Sequence, residues 1–204
     1  MTIEKGQPWG TEGVAPHDLV VAAHEEAAAR AVSSGERHVA LLDGDLLAAL
    51  GTGLRDSTLH VGAPCRMLPC DAYEVTLQRH GVDVSTIAVS SVLVGTWRRP
   101  LWWFTSGGFV GGLNVSPASH PNDGRADVLE WSRVSVRELF AIRRRMRLGD
   151  HLPHPALHVT RGPSVLWRSA GGTRPVTIDG RHWGYADGVT VTVRNDAFVL
   201  CVPN

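Results

Sequence analysis

The sequence predicts a mostly β protein, a two-layer antiparallel sandwich with one conspicuous helix, preceded by a small α/β piece. Three observations carry that expectation. From about residue 57 onward, Val and Thr alternate with polar residues in short runs, at 85–94, 157–160, 164–167, 189–193 and 198–202. Gly-Pro, Asp-Gly and Gly-Gly turns separate the runs, which is the punctuation of antiparallel strands. One helical pattern interrupts them, and a βαβα order precedes them.

Taken in order, residues 1–17 form an irregular leader rich in Gly and Pro. Residues 19–22 are an apolar run fit for a buried strand. Residues 24–32 are Ala-rich with an acidic start, and Gly35 follows as a stop, so they read as a helix. A second strand at 39–42 and a short helical stretch at 45–50, ended by Gly51, complete the α/β piece. That piece, residues 1–56, is too short for a complete nucleotide-binding domain. The β-rich domain is expected over 57–204. Its helix opens with Ser135 and Glu138 as a Ser-x-x-Glu capping box. Val136, Leu139, Phe140 and Met146 are its apolar members, and Gly149 stops it.

Composition narrows the function. Of 204 residues, 43% are hydrophobic and 20% charged, as in ordinary globular proteins. Twenty basic residues, nineteen of them Arg, balance twenty acidic ones, so no global field draws the chain to nucleic acid. No apolar run reaches the roughly 18 residues a membrane-spanning helix needs. The first twenty residues lack the apolar core of a secretory signal, so a cytoplasmic location is expected. Cys65, Cys70 and Cys201 have no further pair to complete a zinc site and read as free thiols. His151, His154 and His158 share no helix, because Pro153 and Pro155 break the segment. No metal site is expected.

Several motifs admit two readings. The run Gly107-Gly108-Phe109-Val110-Gly111-Gly112 fits neither the dinucleotide fingerprint nor the P-loop spacing, and reads as a strand close to another backbone. Arg143, Arg144, Arg145 and Arg147 crowd the end of the capped helix, where cations are electrostatically favoured. The sharper reading is a patch for a lipid headgroup or phosphate. Trp97, Trp102 and Trp103, with Arg98, Arg99 and Phe104, form an aromatic–basic segment of the kind found at membrane interfaces. Trp102, Trp103, Arg143, Arg144 and Arg147 are therefore the candidate ligand or lipid contacts. Asp123 before Gly124, with Asp127, and Asp179 before Gly180 sit at expected turns.

The order of these pieces says more than any one of them. After the glycine run come Asn114-Val115-Ser116-Pro117, then Asn122-Asp123-Gly124-Arg125-Ala126-Asp127-Val128 and the capped helix. Leu148-Gly149-Asp150-His151-Leu152-Pro153-His154-Pro155 and Val176-Thr177-Ile178-Asp179-Gly180 follow. This succession resembles the C-terminal domain of the diacylglycerol kinase, sphingosine kinase and bacterial lipid kinase family, whose fold is related to that of NAD kinase. It covers about half the chain, and Leu68-Pro69-Cys70-Asp71 looks like the start of the same domain.

The resemblance implies that ATP would bind through a Gly-Gly-Asp-Gly-Thr loop between a strand and a helix. Here that loop reads Ala23-His24-Glu25-Glu26-Ala27, and two Glu side chains would repel phosphate where glycines would admit it. A second family motif, Gly-Thr-Gly-Asn-Asp, looks reduced to Asp43-Gly44-Asp45. The α/β piece is then a truncated remnant of a nucleotide-binding lobe. Asp179 matches the family's catalytic Asp, expected to take the proton of a lipid hydroxyl, but the Glu that should follow Gly180 is Arg181. As strand neighbours, Asp179 and Arg181 would share a face and pair, unless a tight turn intervenes. Asp123 and Asp127 are the further catalytic candidates.

The expected protein is a degenerate lipid-kinase relative that binds a lipid-like or phosphorylated ligand, or a protein partner, without kinase turnover and with no cofactor. One alternative is an active ATP-dependent lipid kinase with a rearranged nucleotide site, which would require ATP and Mg²⁺. Another is a structural subunit pairing with a separate chain. A homodimer is expected from the apolar surface that truncation uncovers, along with a peripheral membrane contact.

Overall fold

The structure, a computed structural model, describes residues 9–51 and 59–204. The expected domain boundary at 56/57 and the first eight residues of the leader lie outside the described residues. The chain opens with strand β1 (Thr11–Val14), strand β2 (Val20–Ala22), helix α1 (Glu25–Ser33), strand β3 (His38–Leu41) and the short helix α2 (Asp45–Ala49). A long strand, β4 (Pro64–Arg79), leads into β5 (Val82–Ala88), β6 (Ser91–Thr96) and β7 (Arg99–Thr105). A small hairpin, β8 (Phe109–Val110) with β9 (Leu113–Asn114), precedes β10 (Ala126–Trp131) and helix α3 (Val136–Met146). The chain closes with β11 (Leu157–Gly162), β12 (Ser164–Arg168), β13 (Arg174–Ile178), β14 (Arg181–Ala186) and β15 (Gly188–Pro203).

Two sheets face each other, as the alternating pattern predicts. The first is built on the antiparallel pair of β4 and β15, which runs from Gly188 opposite Gln78 to Pro203 opposite Cys65 with one register shift between Arg194 and Phe198. Its path runs β1-β4-β15-β3-β2, with β5 added to β4 and β12 to β15. The second runs β11-β10-β7-β6-β13-β14. Tyr73, Val75 and Leu77 of β4 and Val189 and Val191 of β15 meet Val92, Trp102, Phe104, Val128, Val176 and Ile178 across the interior. Fully burying each such side chain stabilises the fold by about 1.5–3 kcal/mol.

The α/β piece joins this sandwich through its sheet. β3 pairs in parallel with β15, through Val199 and Leu200, and β2 pairs in parallel with β3. Ala28 and Ala29 of α1 and Leu46 of α2 pack with Val39, Leu41, Leu68, Phe198 and Leu200. On α3 the Ser135–Glu138 capping box is formed in both directions. Leu139, Ile142 and Met146, at i, i+3 and i+7, pack on Trp103, Leu129 and Trp131 of the second sheet.

Three expectations change. The run 85–94 is two strands, because the chain turns at Val89 and Ser90 to aim their amides at Asp179. The runs 189–193 and 198–202 are one strand, β15, interrupted only by a bulge between Arg194 and Phe198. Val136 and Phe140 point outward from α3 at 79% and 77% exposure, since their spacing places them opposite the packed stripe.

Candidate functional site

Asp179 sits at the turn between β13 and β14, with φ at +47°. Asp tolerates this left-handed conformation better than most residues, and here the carboxylate is turned inward. Oδ1 accepts hydrogen bonds from the backbone N–H of Ser90 at 2.9 Å and of Ser91 at 2.8 Å, and Oδ2 accepts one from Val89 N–H at 2.9 Å. The side chain therefore closes the β5–β6 turn. Burial pushes the Asp179 carboxyl up to about 7, against the pull of those three N–H groups and with a further push from the Glu25 carboxylate.

Glu25 approaches from the first turn of α1. Its Oε1 accepts the N–H of Leu46 at 3.0 Å, so it caps the start of α2 from a distance of 21 residues along the chain. Gly44 makes room for it. A Cβ there would lie 2.0 Å from Oε1, and φ is +138°. Burial raises the Glu25 pKa, opposed by the Leu46 N–H and assisted by the nearby Asp45. Asp45 in turn accepts Gly111 N–H at 2.7 Å and Gly112 N–H at 2.9 Å, which fixes the β8–β9 turn.

A pocket of about 240 Å³ opens beside Asp179, lined by Glu26, Arg30, Thr86, Arg181 and Trp183 among others. Arg181 does not pair with Asp179. Its Nη1 donates to Glu26 Oε1 at 2.8 Å and its guanidinium lies 5.8 Å from the Trp183 ring. The tight turn at Asp179-Gly180 separates the two side chains, so the strand argument for a shared face does not apply. Glu26 also lies 3.8 Å from Arg30.

Asp123 and Asp127 lie in a different place, with Asp71, where β4 meets the loop before β10. Asp71 accepts Gly124 N–H at 2.9 Å and Asp196 N–H at 3.0 Å. Asp127 pairs with Arg161 across β10 and β11. The Tyr73 hydroxyl is buried without a hydrogen-bond partner, and burial together with the Asp71 and Asp123 carboxylates pushes its pKa well up. Asp123 is pushed up to about 6 by burial and by the Asp127 carboxylate, against the Arg125 N–H. Among the described residues no hydrogen bond or ion pair links Asp179 to Asp123 or Asp127. Among the described residues no group of three His, Cys, Asp or Glu could hold a metal ion.

The candidate lipid contacts also divide. Trp102 and Trp103 are each 1% exposed and cannot touch a ligand at the surface. Trp102 fills the sandwich interior, and Trp103 stacks edge-on with Trp97 and Trp131, each at 5.1 Å. Their alternation along β7 sends one to each face of a sheet covered on both sides. Trp97 is the exposed aromatic residue of the segment, at 44%. Arg144 and Arg147 are exposed, and Arg143 lies over the Trp97 ring at 5.3 Å. His151 is buried and bonds through Nε2 to the Val115 carbonyl at 3.0 Å, a structural position.

Glu25, Asp45 and Asp71 were not among the sequence candidates for the site. Glu25 and Asp45 carried a signal, since both stand in the segments that depart from the family's glycine motifs. Asp71 had none beyond its place after Leu68-Pro69-Cys70.

Comparison with known proteins agrees with this architecture. No helix among the described residues is long and apolar enough to cross a membrane. No curated protein sequence matches the chain. A solved diacylglycerol kinase structure from Bacillus anthracis str. Sterne superposes with a TM-score of 0.57 at 11% identity, covering 90% of this chain and 75% of that one. A further structure from the same organism, bearing a similar kinase description, gives a TM-score of 0.58 at 12% identity over 92% of this chain and 77% of that one. At such identities the likeness speaks for the fold alone, which is diacylglycerol kinase-like. The family model described as the YegS C-terminal NAD kinase beta sandwich-like domain matches residues 97–202. With half of its length so matched and its two sheets arranged as described, the chain belongs to the family of the YegS C-terminal NAD kinase beta sandwich-like domain.

Proposed function

We propose that this protein is a lipid-kinase relative that has lost phosphoryl transfer and uses the pocket beside Asp179 to bind a lipid-like or phosphorylated ligand. The observation that carries this reading is the position of Glu25. Phosphoryl transfer needs a nucleotide and its metal held by donors free to meet the phosphates. Here the N–H of Leu46, the second residue of α2, is taken by the Glu25 carboxylate, and the Gly111–Gly112 amides are taken by Asp45. The start of α1, where the resemblance would put the glycine loop, thus presents carboxylates in place of free N–H donors, which supports the reading that it does not take ATP–Mg²⁺. Arg30 and Arg181, shared with Glu26 at the pocket rim, can accept an anionic group if Glu26 gives them up. The same reading keeps the protein in the cytoplasm, as a homodimer or bound to a partner chain.

A second reading, an active kinase, is favoured by the Asp179 carboxyl. A value of about 7 beside a pocket is what a general base at neutral pH requires. Against it, both carboxylate oxygens are engaged by backbone N–H groups and the residue is 6% exposed. Titration calorimetry with ATP and Mg²⁺ separates the two. No heat of binding is expected, and low-micromolar affinity would establish the second reading.

A further inference from the structure

Helix α3 carries a second face that its packing does not use. Val136, Phe140, Arg143, Arg144 and Arg147 stand at i, i+4, i+7, i+8 and i+11, one stripe of the helix. Val136 and Phe140 are more than three-quarters exposed, and so is Leu148 just past the helix end. Arg144, Arg147 and Arg137 are exposed around them. The acids nearby are occupied elsewhere. Glu138 closes the capping box and faces His154, and Asp150 pairs with Arg145. Next to the stripe, the turn between β6 and β7 presents Trp97, with Arg98 and Arg99 also exposed. Arg143 joins the two elements by lying over the Trp97 ring.

Arg143 ties the helix to the β6–β7 turn. Its Nε and Nη2 are buried and make no hydrogen bond within the protein. Burial lowers its pKa, so the cation is held at a cost with no acid beside it. The guanidinium packs against the Trp97 ring, which holds α3 and the β6–β7 turn together as one basic and aromatic face. Exposed Phe and Val among arginines, with an aromatic ring at the edge, is the composition of a helix lying at a lipid interface.

We propose that the outer face of α3, with the β6–β7 turn, docks on an anionic phospholipid surface. Phe140 and Val136 enter the headgroup boundary, Arg144 and Arg147 meet the surface charge, and Arg143 braces Trp97 at the edge of that face. This face shares no residue with the pocket beside Asp179, so the two proposals stand or fall separately.

Co-sedimentation of the full chain with vesicles tests it. Binding is expected to phosphatidylcholine vesicles that contain phosphatidylglycerol, to weaken as salt is raised, and to be lost on pure phosphatidylcholine. Removing one surface arginine should weaken partition about fivefold, and Arg144→Ala with Arg147→Ala about 30-fold. Phe140→Ser should also weaken it while leaving the melting temperature nearly unchanged, because Phe140 is 77% exposed. The proposal is overturned if the chain binds both vesicles alike, if it binds neither, or if the Arg144→Ala/Arg147→Ala variant binds like the parent.

Discussion

Asp179 and Ser91 hold each other twice: Asp179 N–H donates to the Ser91 carbonyl at 2.9 Å, and Ser91 N–H donates back to Asp179 Oδ1 at 2.8 Å. The pair ties the β13–β14 turn to the β5–β6 turn, so the family's catalytic position is also a structural clasp here. Asp179→Asn should destabilise the fold by about 1–3 kcal/mol, because the Val89 amide then faces an amide group. The effect should depend on pH. An unfolded Asp releases its proton near the ordinary 3.8 and the folded one near 7, so between these values the folded chain binds more protons and stability falls as pH rises. Asn has no such slope. Thermal melts at pH 5 and pH 8 should show the gap between parent and variant narrowing at the higher pH.

Asp123 gives the opposite result in the same assay. Its carboxyl, at about 6, is disfavoured as an anion by burial and by Asp127. The penalty is absent below the unfolded pKa and complete once pH passes the folded one. Asp123→Asn keeps an acceptor for Arg125 N–H and removes the repulsion. It should stabilise the chain at pH 8 by about 1 kcal/mol and leave it unchanged at pH 4. Equal melting shifts at both pH values would contradict this.

Self-association is expected at the free edge of the first sheet. Among the described residues β2 pairs on one side only, and Val21 and Leu42 there are 41% and 45% exposed. An open edge with apolar neighbours is a template for a second strand. Light scattering should report a dimer, and Val21→Glu should yield monomer with an unchanged circular dichroism spectrum. A strict monomer at high concentration would contradict it.

Much of the fold is legible in the sequence, because local chemistry dictates it. Ser135 and Glu138 specify a helix start by capping alone, and the Val-rich alternation of 189–193 specifies a half-buried strand. The join of the α/β piece to β15 is not legible, since it rests on a parallel pairing between residues 38–39 and 199–200. No local pattern encodes such a partner. The site follows the same division. Asp179 could be found from its place in an ordered set of motifs. Its inward turn at positive φ depends on contacts 88 to 90 positions away, and the capture of Arg181 by Glu26 on one 155 positions away. Trp102 and Trp103 misled for a related reason: aromatic residues beside arginines look alike on a membrane face and in a core strand, and only the covering of both sheet faces decides.

The central claim, that this relative of the lipid kinases no longer transfers phosphate, is tested most directly by incubating the purified chain with diacylglycerol vesicles and labelled ATP–Mg²⁺. No phosphatidic acid above the protein-free background is expected, for the parent or for Asp179→Asn. Formation of phosphatidic acid by the parent, abolished in Asp179→Asn, would contradict the account and make Asp179 a working general base.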